Sequence, residues 1–346
     1  MNSRLLIRAV LLYILLSPSI PMHAAGPICF EDVAECVDTR FAEFWRRNDR
    51  HAISGQSGNA ARIFGYPIGS ARIEAVDGVA VLAQPFERVI MQQPLVNTDP
   101  ANITLQMTGR ERLTQLNRAP TLPAKPPKTV PPDCRLFAET GFTLCGEFRN
   151  VWESNGLNLD NERDYTDAER IALFGLPISA VSREPAADGS TNRYLTQWFE
   201  RARLQIDGVT RQIIVTPLGR EVMSNRLNLP PLPRNLGVMV NPATLTAGST
   251  LAARGSGYSH DRWVSVTVFR ADGTSVLVAE QVNLTSGGFT ETYCYLTPAD
   301  AIPGIWAIAF DGIDSGRRTI GFFRVVTTGE PNRACPEMIT PVPRGR

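Results

Sequence analysis

The chain has 346 residues, enough for two or three domains that each bury a core of their own. Its 43% hydrophobic and 20% charged residues are ordinary for a globular protein, and a net charge of +1 lacks the concentrated basic character that a nucleic-acid or acidic-membrane partner requires. Lysine occurs only as Lys125 and Lys128, which leaves Schiff-base and lysine general-base chemistry almost without candidates.

Arg4 and Arg8 precede an apolar run from Ala9 to Leu16, and small residues and prolines follow to Ala25. This is the pattern of a secretory signal peptide over residues 1–25, cut after Ala24 or Ala25. Its removal takes the net charge from +1 to −1, because it carries two arginines and no acid. The run is too short to span a bilayer, and no later stretch is long and apolar enough, so the mature form is expected to have no membrane span. The expected location is secreted or cell surface.

The mature chain is organised by a duplication. The second copy has Cys145, then Phe148, Val151 and Trp152, then Phe174-Gly175-Leu176-Pro177, then Gln197-Trp198-Phe199-Glu200-Arg201, then Gly219-Arg220-Glu221. The first has Cys36, then Phe41, Phe44 and Trp45, then Phe64-Gly65-Tyr66-Pro67, then Gln84-Pro85-Phe86-Glu87-Arg88, then Gly109-Arg110-Glu111. A period of roughly 110 residues is domain-sized rather than the short unit of a solenoid. Residues 26–117 are therefore read as a degenerate first module and residues 134–227 as a second. Proline-rich stretches at 118–133 and 228–235 are read as semi-rigid spacers.

Within each module, Phe41, Phe44 and Trp45, like Phe148, Val151 and Trp152, recur at helical spacing. A second helix is expected from Asp167 to Phe174, with Thr166 and Glu169 at capping-box spacing and Gly175 at its end. Asp77-Gly78, Asp188-Gly189 and Asp207-Gly208 mark hairpin turns, so each module reads as two helices followed by an antiparallel sheet. Residues 236–328 change to short alternating runs such as Val264, Val266 and Val268, broken by Asp272-Gly273 and Ser286-Gly287-Gly288. That spacing points to an all-β sandwich of immunoglobulin type, with residues 329–346 as a tail. The expected fold class is multidomain: two α+β repeat modules and then the sandwich.

Six cysteines in an exported chain favour disulfides and allow 15 pairings. The repeat narrows them, since Cys29 and Cys36 occupy the places of Cys134 and Cys145. One local bridge per copy leaves Cys294 with Cys335. A zinc site is the alternative, but close paired spacing is missing and only His51 and His260 follow the leader. No metal and no cofactor are expected.

Read as a strand, the Phe-Glu-Arg word places Glu200 in a row with Trp198, Ala202 and Leu204, and Glu87 in a row with Pro85, Val89 and Met91. A glutamate in an apolar row needs a partner, and the expectation is a structural ion pair with Arg110 for Glu87 and with Arg220 for Glu200. The functional alternative, a catalytic carboxylate, needs a second facing acid that the sequence does not supply. Tyr66 and Trp198 are the candidate ligand-binding residues, as platforms for sugar rings, against core packing. Ser259-His260-Asp261 has the residue types of a hydrolytic triad, yet adjacency in sequence does not create its geometry. No catalytic residue is assigned.

Through these words, residues 134–223 resemble the tandem modules of proteins predicted to be secreted in Chloroflexota-like bacteria. The Phe-Gly-Tyr/Leu-Pro core is similar to the LGFP repeat of actinobacterial envelope proteins. The first copy departs from the pattern, with Pro85 in the aromatic place and a shorter Cys29–Cys36 interval. The resemblance implies attachment to the cell envelope. The expected function is a non-catalytic modular binding protein, engaging envelope polysaccharide or a surface protein through the repeats, where two weak sites on one chain gain avidity. The alternatives are a secreted carboxylate-dependent hydrolase and a purely structural stalk.

Overall fold

A computed structural model describes residues 26–49, 59–96, 99–118, 129–162, 164–187, 189–208, 210–226 and 230–338. The expected signal peptide, His51, Asp188 and most of the first spacer lie outside the described residues. The protein is β-rich and multidomain, with several antiparallel sheets and few helices.

In residues 26–117, α1 (Thr39–Asn48) and α2 (Asn59–Phe64) precede a meander of β1 (Arg72–Val76), β2 (Val79–Pro85), β3 (Ile90–Pro94) and β4 (Thr104–Leu105), and α3 (Thr108–Gln115) closes it. In residues 134–227, the hairpin β5 (Cys134–Leu136) and β6 (Thr143–Cys145) leads into α4 (Gly146–Ser154) and α5 (Asp167–Phe174). The meander β7 (Ser182–Pro185), β8 (Arg193–Trp198), β9 (Arg203–Ile206), β10 (Ile213–Val215) and the helix α6 (Leu218–Ser224) follow.

Local chemistry fixes these elements. The side chain of Asp38 accepts from Arg40 N–H at 2.9 Å to cap α1, whose Phe41, Phe44 and Trp45 are buried. At α5 the Thr166 hydroxyl accepts from Glu169 N–H at 3.3 Å while the Glu169 carboxylate accepts from Thr166 N–H at 2.8 Å, a reciprocal cap contributing about 1 kcal/mol. A third helix in each half, α3 and α6, carries the Gly-Arg-Glu word, which the reading of two helices and a sheet leaves out.

The Phe-Glu-Arg word is a turn, not a strand. Phe199 N–H bonds Ala202 O at 2.8 Å and Phe86 N–H bonds Val89 O at 2.8 Å, so each word reverses the chain between two strands. Alternation along one strand therefore does not apply across it. Glu200 and Arg201 occupy the centre of one turn and Glu87 and Arg88 the centre of the other.

The last unit has two sheets, β11 (Val238–Asn241), β13 (Thr250–Gly255) and β17 (Tyr293–Leu296) in one. The other has the order β12 (Thr244–Thr246), β19 (Arg318–Val326), β18 (Gly304–Gly312), β14 (Trp263–Phe269), β15 (Ser275–Thr285) and β16 (Phe289–Thr290). Val264, Val266, Val268, Trp306, Phe310 and Phe323 fill the space between them. The disulfides are Cys29–Cys36, Cys134–Cys145 and Cys294–Cys335, and the last ties the tail to β17.

The three units do not stand apart. One apolar core runs from Phe41 and Phe86 through Phe174 and Phe199 to Phe269, Ile305 and Phe322 on the outer face of the six-stranded sheet. Ile73 N–H bonds Ala271 O at 2.9 Å, joining β1 to the loop after β14. Residues 230–235 are packed rather than spanning open solvent: Arg234 N–H bonds Gly78 O at 3.0 Å, Asn235 accepts from Phe322 N–H at 2.8 Å, and Leu232 packs against the core. The prolines suit this course because it needs few backbone donors.

Candidate functional site at the module junction

The four repeated words meet in space. Glu200 N–H bonds Leu176 O at 3.0 Å, Arg201 N–H bonds Phe174 O at 2.9 Å, and a Glu200 carboxylate oxygen accepts from Leu176 N–H at 3.1 Å. The first half repeats this with Glu87 N–H to Tyr66 O at 3.0 Å, Arg88 N–H to Phe64 O at 2.9 Å and Tyr66 N–H to Glu87 at 3.3 Å. Phe-Gly-x-Pro is thus the cradle of the Phe-Glu-Arg turn. Gly65 and Gly175 both have φ of +74°, and a Cβ on either would lie 2.5 Å from the Cβ of its glutamate, so glycine is required twice over.

The fourth word comes from the other half. Gly109 and Arg110 N–H bond Glu200 O at 3.0 and 3.2 Å, and Thr108 donates its hydroxyl to Arg201 O at 2.8 Å. In the opposite direction, Arg220 N–H bonds Glu87 O at 3.0 Å. A Cβ on Gly109 would sit 1.9 Å from Phe199 O, and one on Gly219 would sit 2.0 Å from Phe86 O. Each helix start is pressed against the turn of the other half.

The ion pairs therefore cross. Arg110 holds Glu200 at 2.7 Å and Arg220 holds Glu87 at 3.0 Å, whereas the sequence reading pairs Glu87 with Arg110 and Glu200 with Arg220. The reason is steric: the turn of each half points its glutamate at the helix of the other. A second crossed set centres on residues outside the words, with Glu111 of the Gly-Arg-Glu word as its one shared member. Arg226 reaches Glu74 at 2.7 Å and Glu111 at 2.8 Å, while Arg118 reaches Glu184 at 2.8 Å. Glu74 and Glu184 hold matching places in β1 and β7, but their neighbours differ and form no shared word. Arg88 donates to Ala61 O and Val215 O at 3.2 and 3.3 Å, and Arg201 donates to Ile171 O and Leu105 O at 3.0 Å each, so these arginines too span the halves. Contacts that run both ways are those of an isologous pair.

Electrostatics fit a structural role for these charges. Burial pushes the Glu184 carboxyl up, but hydrogen bonds from Arg118, the Trp198 indole and Ser182 outweigh it and hold the group below the usual glutamate range. Burial also lowers Arg226, yet Glu111 and Glu74 more than compensate and its charge is secured.

Trp198 is not a ligand platform. It is 0% exposed, its indole N–H donates to both Glu184 oxygens at 3.0 Å, and the Arg118 and Arg203 guanidinium groups lie 5.6 and 4.9 Å from the ring centroid. A large aromatic enclosed by two cations and a carboxylate has no face left for sugar. Tyr66 is half-buried and meets Phe30 edge-on, with centroids 4.9 Å apart. In Ser259-His260-Asp261, Asp261 accepts from Asp314 N–H, Ser315 N–H and the Ser315 hydroxyl at 2.9, 2.8 and 2.7 Å, bracing a loop, and His260 is exposed. Among the described residues no group of three His, Cys, Asp or Glu side chains is placed to hold a metal ion.

Two clefts open at the junction. One of about 690 Å³ is lined by Arg72, Glu74, Asp77, Arg110, Glu111 and Arg226 among others, and two of its three acids, Glu74 and Glu111, are engaged by Arg226. The other, of about 420 Å³, takes residues from both halves, including the equivalent pairs Ile63 and Leu173, Arg88 and Arg201, and Val89 and Ala202.

No family model and no curated protein matches the chain. Among solved structures, a point mutant of Salmonella alpha-2-macroglobulin is similar with a TM-score of 0.21 and 15% identity, over 40% of this chain and 10% of that one. A biofilm-associated protein BSP domain is similar with a TM-score of 0.20 and 14% identity, over 84% of this chain and 55% of that one. The chain thus spans a tenth of the first and about half of the second, and likenesses this low carry no argument about function.

Proposed function

We propose that this is a non-catalytic binding protein of the cell exterior, built from two LGFP-like repeat modules and an immunoglobulin-like sandwich, and retained on envelope polysaccharide or a surface protein. The observation that carries the reading is the state of Glu200. The hydrolase alternative needs it as a free carboxylate beside a second acid, yet both of its oxygens are engaged, by Arg110 at 2.7 Å and Leu176 N–H at 3.1 Å. Glu87 is engaged in the same way, and the 420 Å³ cleft has no acid in its lining.

Three disulfides, with no free cysteine among the described residues, suit an oxidising extracellular setting. Among those residues no helix is long and apolar enough to cross a membrane. The stalk alternative predicts a chain without clefts, and two open at the junction.

The test is retention of the full chain on insoluble envelope material and on a panel of polysaccharides. The full chain is used because each half is completed by the other. Saturable retention supports the proposal. Absence of retention on every surface, from protein that is folded by circular dichroism, overturns it in favour of a structural role.

A further inference from the structure

The smaller junction cleft has a lining whose charge is of one sign. We propose that it binds a small organic anion, with a carboxylate or phosphate head against Arg62, Arg88 and Arg201 and an apolar body over Ile63, Leu173 and Phe174. This deepens the binding-protein reading and rests on it.

Arg62, Arg88 and Arg201 line the cleft together with Asn59, Asn155 and Thr216, and the lining contains no aspartate or glutamate. Arg88 and Arg201 are equivalent residues, one from each half. Each commits Nε and Nη1 to carbonyl oxygens, which fixes the plane of its guanidinium group. Among the described residues, Nη2 of neither has a hydrogen-bond partner. The adjacent carboxylates are committed elsewhere: Glu200 to Arg110, and Glu87 to Arg220 at 3.0 Å while it stands 3.8 Å from Arg88 Nη1. Arg62 is exposed at the rim and has no ion-pair partner among the described residues.

A purely structural account covers Arg88 and Arg201 as carbonyl caps, but not the third arginine or the absence of acids. Planar guanidinium groups with an unused donor edge match carboxylate and phosphate oxygens. Burial lowers the pKa of Arg201, so its charge is partly stripped of water and an anion in the cleft would restore what burial removes. The volume of about 420 Å³ falls in the range of small-molecule sites, roughly 300–1,000 Å³. The apolar floor from both halves then favours a ligand with a hydrocarbon portion over a bare ion. The larger cleft differs, because its lining carries the acids Glu74, Asp77 and Glu111, two of them paired with Arg226.

The experiment is isothermal titration calorimetry of the full chain with octanoate, octyl phosphate, 1-octanol and inorganic phosphate. Octanoate, octyl phosphate or both should bind saturably, the two arms separating carboxylate from phosphate, and octanol should bind at least about tenfold more weakly. Arg62→Gln, which touches none of the structural hydrogen bonds, should weaken anion binding roughly three- to tenfold with the melting temperature unchanged. Octanol binding equal to octanoate, or silence with both anions, overturns the proposal, as does an affinity indifferent to Arg62→Gln. Inorganic phosphate binding as tightly as octyl phosphate overturns the apolar half of the site. Retention on envelope material without anion binding sinks this inference alone, whereas anion binding without retention sinks the envelope reading and leaves the site standing.

Discussion

Replacing Gly109 by alanine tests the interlocked junction through a single methyl group. The new Cβ would start 1.9 Å from Phe199 O, and contacts under 3.0 Å are essentially never formed, so α3 must retreat by at least about 1 Å. That retreat loosens two backbone bonds to Glu200 O, at 3.0 and 3.2 Å, and the Thr108 hydroxyl bond to Arg201 O at 2.8 Å. At about 1 kcal/mol each they amount to ~3 kcal/mol, and the Arg110–Glu200 pair adds under ~1 kcal/mol because Arg110 is 41% exposed. Gly109 has an ordinary backbone φ, so helix propensity alone favours alanine there by up to ~1 kcal/mol, which leaves a net loss of about 2–3 kcal/mol. Guanidinium denaturation read by tryptophan fluorescence measures it. Gly208→Ala, with no heavy atom within 4 Å of the new Cβ, is the control and should change stability by less than ~0.5 kcal/mol. A Gly109→Ala protein as stable as wild type, or more so, would refute the claim that the helix start is pressed against the other half's turn.

Three further outcomes follow from the same geometry. In double-mutant cycles, Glu200→Gln should couple to Arg110→Met by ~0.5–1 kcal/mol and be additive with Arg220→Met; coupling to Arg220 instead would restore pairing within a module. Glu184 has a folded pKa below its unfolded value, so it contributes stability above about pH 4.3 that is lost as pH falls through the folded pKa. Glu184→Gln should therefore flatten the acid limb of melting temperature against pH, and an unchanged slope below that pH would count against the assignment. Trp198→Ala should cost ~3–5 kcal/mol in denaturant unfolding, as expected of a core side chain, and a fully stable variant would mean the indole is dispensable to the junction.

Much of the local architecture was legible in the residues, and the junction was not. The capping box at Thr166 and Glu169, the Asp77-Gly78 turn and the alternating valines of β14 act over a few residues, where sequence pattern is strong. Crossed pairing leaves no such trace. Because both copies carry the same glutamate and the same arginine, pairing within a copy and pairing between copies need identical residue types. Only the direction in which the turn presents its carboxylate decides. The Phe-Glu-Arg turn escaped for another reason: Phe199 to Ala202 contains no glycine, proline, asparagine or aspartate, and is stabilised by the Phe-Gly-x-Pro cradle instead of by its own composition. Trp198 reads as a platform in sequence because aromatic rings commonly stack on sugars, while Arg118, Glu184 and Arg203, which enclose it, come from different places in the chain.

A chain whose two halves lock onto each other is, in effect, a heterodimer with a tether. The cross-contacts fix the geometry, and covalent continuity of the chain adds effective concentration. Cleaving the backbone between the two halves should leave fragments that stay together at micromolar protein, and transposing the order of the halves should preserve the junction. The matching halves are also free to diverge in a particular manner: a change in one turn is answered by a helix of the other half, 90 residues away for Glu200 and Arg110 and 133 for Glu87 and Arg220, so substitutions at this junction are expected to travel in couples drawn from opposite halves.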